Sequence, residues 1–204
     1  MCRSRINKKG DFPVIGGANI FKYGLNGHKG FLTKKDIHEN RKVEFFKQPK
    51  IISQNIIAHI QKPFPHMMII ASLDNAGIVF NLDTVNNTII TDKIYDHKFI
   101  LAMLNSKLTS WYSYKFIYCS AIRTMHFDEY YIGKIPIFRA TKNDQQNISA
   151  IVDRILLLTH SDDYQQNPTK QAKVKEYEKE IDQMVYERYG LTEEEIKIVE
   201  GNIN

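Results

Sequence analysis

Residues 94–138 read IYDHKFILAMLNSKLTSWYSYKFIYCSAIRTMHFDEYYIGKIPIF. The first half predicts a single helix. Asp96 is placed to cap it by accepting from a free amide of the first turn. Ile100, Leu104, Leu108 and Trp111 recur at three- and four-residue spacing, with Met103 and Tyr112 beside them. Asn105 and Ser106 fall in mid-helix, where both are mediocre formers. The second half leaves the helix through Cys119, Ser120 and Ala121. It then passes a basic turn at Arg123 and ends on a short apolar piece closed by Pro136. The aromatic face of Trp111, Tyr112 and Phe116 is expected in the core. That would make the following loop a steady platform.

Upstream, the pattern is one of short strands. Residues 12–15 form one, before the paired Gly16 and Gly17, which let backbone turn tightly or approach another surface. Residues 24–35 hold the turn pair Asn26-Gly27, Gly30 and three lysines, and read as a flexible basic loop. Residues 36–46 carry a weak helical pattern. Residues 49–60, PKIISQNIIAHI, read as a strand buried on both faces for part of its length, with Gln54 and Asn55 as polar intrusions. Three more strands are expected at 67–73, 77–82 and 88–91. Asp74-Asn75-Ala76-Gly77 and Val85-Asn86-Asn87 would be the turns between them.

Downstream, helices are expected at 144–160 and 169–189, paired as an antiparallel hairpin, with Gly190 as the left-handed stop. Thr192 and Glu195 have capping-box spacing and open a last short helix. The ordering implies an α+β fold: a mixed or antiparallel sheet packed by a central helix, with a C-terminal helical hairpin. We divide the chain into a unit at 1–140 and a helical tail at 141–204.

The chain has 204 residues and a net charge of +5, enough length to bury a proper core. The positive excess sits in residues 1–65, and the stretch from Asp144 on is rich in acids. A basic half suggests a polyanionic partner; the plain alternative is a set of solvated loops. Cys2 and Cys119 are the two cysteines. They make neither a disulfide framework nor a zinc spacing, so a reducing, cytoplasmic setting is expected. Residues 1–10 are polar and basic, with no apolar core of a signal peptide behind them. No apolar run approaches the roughly 20 residues that span a bilayer.

LNSKL, the aromatic run after it, the Arg123 loop and KIPIF together resemble the TaqI-like C-terminal specificity domain. That is the target-recognition domain of adenine-N6 DNA methyltransferases and of fused type II restriction–modification enzymes. The family's closing Leu-Pro-Ile-Pro appears here as Ile135-Pro136-Ile137-Phe138, without the second proline. FPVIGGANIFKYG, QPKIISQNI and VYERYGLTEEEIKIVE fit in the same order. The resemblance implies double-stranded DNA as partner, and a methyltransferase catalytic domain or subunit as the other. It also implies that S-adenosylmethionine belongs to that catalytic domain, so no cofactor is expected on this chain.

The residues expected at DNA fall into three groups. Lys22, Lys29, Lys34 and Lys35, with Tyr23, surround the glycine-rich turns and would contact phosphates. Gln54 and Asn55 carry amides suited to adenine edges; the plain alternative is that they satisfy backbone at a strand end. Arg123, Thr124 and His126 follow the central helix, and Arg is the commonest reader of guanine. Here the alternative is that Arg123 pairs with Asp128 or Glu129.

Catalytic machinery is not legible. An adenine-N6 methyltransferase needs an Asn/Asp-Pro-Pro-Tyr/Phe loop, and the chain has no adjacent prolines and no glycine-rich cofactor turn. The seven histidines show no metal-ligand spacing, and the acids near Glu176 and Glu195 sit on amphipathic helices. The alternative function is a protein-interaction module, or a specificity subunit whose helical tail docks a methyltransferase or nuclease. Affinity for duplex that ignored salt would favour it.

Overall fold

The computed structural model describes residues 6–37 and 41–202. Cys2, the first half of the basic entry segment, and residues 38–40 of the weakly helical stretch lie outside them.

The described chain opens on β1 (Phe12–Ile15), the strand expected there. A one-turn 3-10 helix at Gly17–Asn19 leads to the hairpin of β2 (Ile20–Phe21) and β3 (Gly24–Leu25). Next, β4 (Gly30–Leu32) folds back antiparallel on β1, setting Phe12 opposite Leu32. After α1 (Arg41–Phe46), the strand expected over 49–60 proves to be two, β5 (Lys50–Gln54) and β6 (Ile56–Ala58). Asn55 separates them because its backbone pairs sideways. Its N–H donates to the Thr84 carbonyl, and its own carbonyl accepts from Phe127 N–H.

Four further expectations are corrected in this region. The strand expected over 67–73 narrows to β7 (Ala71–Asp74). The Ile69 and Ala71 amides are instead held by the side chains of Ser110 and Asn105. The strand expected over 77–82 shrinks to β8 (Phe80–Asn81), which runs parallel to β1. Val85-Asn86-Asn87 is no turn: it lies in β9 (Val85–Thr88), paired with β5, and the strand expected at 88–91 is displaced. The reversal comes earlier, where Val85 N–H bonds the Leu82 carbonyl. Asparagine favours turns only when its backbone has no sheet partner. Here β5 supplies one, lying between β7 and β9 and antiparallel to both.

The central helix is also two pieces, α2 (His97–Asn105) and α3 (Lys107–Tyr112). Asp96 caps the first as expected, accepting from the Lys98 and Phe99 amides. Ser106 is extended (φ −67°, ψ 151°) and caps the second through Thr109 N–H. Asn105 is drawn to β7, accepting from Ala71 N–H (2.9 Å) and donating to the Ala71 carbonyl (3.0 Å). Both side chains take backbone partners that a continuous helix would deny them.

A π-helical turn at Ser113–Ile117 follows, with Tyr118 N–H bonding the Ser113 carbonyl. The extra residue per turn rotates the register. Tyr114 is therefore the buried aromatic, while Phe116, expected in the core, is 62% exposed. Cys119 and Ser120 are both left-handed, and β10 (Thr124–His126) comes next. Asp128 caps α4 (Glu129–Ile132). The tail is α5 (Lys142–Thr159), α6 (Pro168–Tyr189) and α7 (Glu193–Val199). Gly190, at φ 67°, ends α6, and the Thr192/Glu195 capping box opens α7.

The fold is α+β with a C-terminal helical hairpin. Its largest hydrophobic cluster joins Ile51 and Ala71 of the sheet to Phe99, Leu101 and Met103 of α2. Ile148, Val152 and Ile155 of α5 and Ile181 and Val185 of α6 belong to the same cluster. Each of these side chains larger than alanine contributes about 1.5–3 kcal/mol on burial. The buried face of the hairpin thus packs into this chain's own core, while Leu157 of α5 stays exposed.

The seam between α3 and α6 holds a carboxylate. Asp182 is buried and its Oδ1 accepts from Lys107 N–H at 2.8 Å, at the start of α3. Burial pushes its pKa up from 3.8 to about 6; the Lys107 amide and the Lys22 and Lys107 ammonium groups oppose the shift. A raised acid pKa means the folded state holds the proton more tightly, so stability falls as pH rises between about 4 and 6. Asp182→Asn keeps an acceptor for the amide without the charge. We expect it to match wild type near pH 4 and to be more stable by about 1–2 kcal/mol at pH 7.5. Paired thermal melts at the two pH values check this. A variant less stable than wild type at pH 7.5 would refute it.

Candidate nucleic-acid interface

The two short strands β6 and β10 form an antiparallel ribbon outside the main sheet. Thr124 faces Ala58, Met125 faces Ile57 and His126 faces Ile56. Alternation turns Ile57 and Met125 inward, each 3% exposed, and leaves Ile56, Ala58, Thr124 and His126 on the open face. The C-terminal end of the ribbon is pinned three times. Tyr118 Oη donates to the His126 carbonyl, the Asn86 amide to the Phe127 carbonyl, and Phe127 N–H to the Asn55 carbonyl. At the other end, Arg123 accepts at its carbonyl from His59 N–H, and its side chain is exposed. Among the described residues no carboxylate pairs with Arg123. Asp128, its expected alternative partner, caps α4 through Tyr130 N–H. Arg123, Thr124 and His126 are thus brought together: Thr124 and His126 lie on a strand rather than in the expected loop, and Arg123 sits in the bend just before it.

The glycine turn lies beside this ribbon. Gly17 N–H donates to Thr84 Oγ1 at 3.0 Å. A Cβ on Gly17 would stand 2.9 Å from the Thr84 carbonyl oxygen, so the close approach requires glycine. A shallow cavity of about 360 Å³ is bounded by Gly16, Gly17, Ala18, Lys29, Gln54 and Ile56, and joins the turn to the ribbon edge. Lys29 is exposed at that rim. Lys34 and Lys35 are exposed on a 3-10 turn after β4, stabilised by Thr33 and Asp36.

The remaining expected residues are placed differently. Tyr23 is 1% exposed at φ 63°, with its N–H on the Ala71 carbonyl and its own carbonyl accepting from Thr159 Oγ1. Burial, then the charges of Glu178 and Asp182, push its pKa well up. It belongs to the core and cannot reach a duplex in this conformation. Lys22 turns away from the glycine loops, donating to the Asn105 carbonyl at 2.8 Å and facing Glu178 at 3.8 Å. Gln54 donates to the carbonyls of Gly17 and Ile20, and Asn55 to that of Asp83. Bidentate adenine reading needs the amide donor and oxygen together, and these donors are spent on holding loops.

The structure adds Ile56 and Ala58 to the open face, which sequence reasoning missed. The signal was present: Thr124-Met125-His126 alternates polar and apolar at strand period. Nothing local named its partner. Among the described residues no cluster of three His, Cys, Asp or Glu side chains could hold a metal. The glycine turn runs into one 3-10 turn, with Gly16 N–H donating to Asn19 Oδ1, rather than into a long helix. No helix is long and apolar enough to cross a membrane among the described residues.

The sequence model of the TaqI-like C-terminal specificity domain matches residues 12–137. The chain belongs to that family. The search of curated proteins finds no match. In this specificity domain the matched span begins at the first residue of β1 and contains the glycine turn, the ribbon and Arg123. It stops before α5, so the motif from Val185 to Glu200 lies beyond it.

Proposed function

We propose that this chain reads a short double-stranded DNA target for an adenine-N6 methyltransferase of a type II restriction–modification system, in the cytoplasm. A separate catalytic domain or subunit carries the S-adenosylmethionine and the methyl transfer. The β6–β10 ribbon carries the reading. A two-stranded ribbon is narrow enough for the major groove; this one presents a hydroxyl and an imidazole from a pinned backbone, and just ahead of it stands an exposed arginine with no carboxylate partner among the described residues. The exposed Lys29, Lys34 and Lys35 supply phosphate contacts that position the domain without reading sequence.

Arg123→Ala tests this. Binding is selected from a randomised duplex pool on wild type and variant, beside a thermal melt. We expect preference at one base pair to relax by about 1–3 kcal/mol, with an unchanged melt, because the side chain is exposed and forms no ion pair among the described residues. Unchanged base preference would remove Arg123 from recognition. A wild-type chain that selects no sequence would overturn the reading as a whole.

A further inference from the structure

A groove of about 840 Å³ opens where residues 64–68 face α3, α6 and the end of α7. It shares no residue with the ribbon or the glycine-turn cavity. Aromatic rings line it. Phe21 stacks on Tyr164 with centroids 5.5 Å apart and planes at 14°, and Phe64 and Trp111 stand on the other walls. The indole N–H of Trp111 is buried with no acceptor among the described residues. The volume is that of a small-ligand site.

Charge in the groove is unbalanced. Its two carboxylates are already engaged, Glu178 by Lys22 at 3.8 Å and Glu200 by Lys107 at 3.0 Å. Lys115 and Lys175 also line it, and among the described residues neither has a carboxylate partner. A ligand that satisfies the site must be planar, to lie against rings, and anionic, to answer two ammonium groups. A phosphate monoester carries close to two negative charges, whereas a single carboxylate carries one.

We propose that this groove binds a free mononucleotide, with the base against the aromatic wall and the phosphate on Lys115 and Lys175. The site is independent of the DNA-reading face and adds a second nucleotide-directed activity to the chain.

Trp111 is the one tryptophan in the sequence, so its fluorescence reports on the groove directly. The full chain is titrated with AMP, with adenosine, and with AMP in the Lys115→Ala/Lys175→Ala double variant. We expect a saturable change with AMP, and binding about ten-fold weaker or worse for adenosine and for the double variant. Both lysines are exposed, so the variant should melt with wild type. Absence of saturation with AMP overturns the proposal, as does adenosine binding equally well or an unaffected double variant. Saturation by an acidic peptide or a single-stranded oligonucleotide, with none by AMP, overturns it too. Duplex selection through Arg123 is measured separately, so failure here leaves the DNA reading standing.

Discussion

Asp74→Ala is expected to destabilise the chain by about 3–5 kcal/mol, a fall of roughly 10 °C in Tm for a chain of this length. Lys50 is fully buried, with its ammonium donating to the Phe46 carbonyl and to the Asp74 carboxylate. Asp74 also accepts from the Ile78 and Val79 amides, which closes the turn after β7. Burial pushes the Lys50 pKa down while Asp74 holds it up. Removing the carboxylate strands a buried charge and orphans two amides. Lys50→Met also strands a buried charge, that of Asp74, but it should cost less, because Asp74 keeps both amide bonds and the methionine fills the same space. Thermal melts of both variants decide the matter. Wild-type stability for Asp74→Ala, or a greater loss for Lys50→Met, would show that the pair does not hold β5 to β7.

Neutralising Lys29, Lys34 and Lys35 together is expected to weaken duplex binding by roughly 100-fold near 0.15 M salt. Each phosphate contact contributes about 0.9 to the slope of log affinity against log salt, so three should flatten it by about 2.7. All three are exposed, so the melt should not change. Lys22→Ala is the internal control. Its ammonium is engaged by Asn105 and Glu178, so its loss should lower Tm and leave the salt slope alone. Binding isotherms over a salt series measure both effects. A triple variant with wild-type slope would place the phosphate contacts elsewhere. A Lys22 variant with a reduced slope would return that residue to the DNA surface.

The sequence by itself determined the features whose physics is local. The helices α5 and α6 follow from apolar residues at helical spacing. The end of α6 follows from Gly190 in a left-handed stop. The strand β1, the Asp96 cap and the α+β ordering were legible for the same reason. So were the motifs around Asn105 and Pro136 that identified the family. What only the tertiary structure decided is set by bonds between residues far apart in the chain. Ala71 draws Asn105 across and splits the central helix, 34 residues away in sequence. Gln54 reaches 37 residues back to Gly17 and so is spent on a loop. Tyr23 is buried because Thr159 reaches its carbonyl across 136 residues. The ribbon exists because β10 finds β6, some 66 residues earlier, and that pairing turns Thr124 and His126 outward. Periodicity and capping chemistry carry no information on such partners: a polar side chain satisfied by distant backbone has the same sequence as one left free to read DNA.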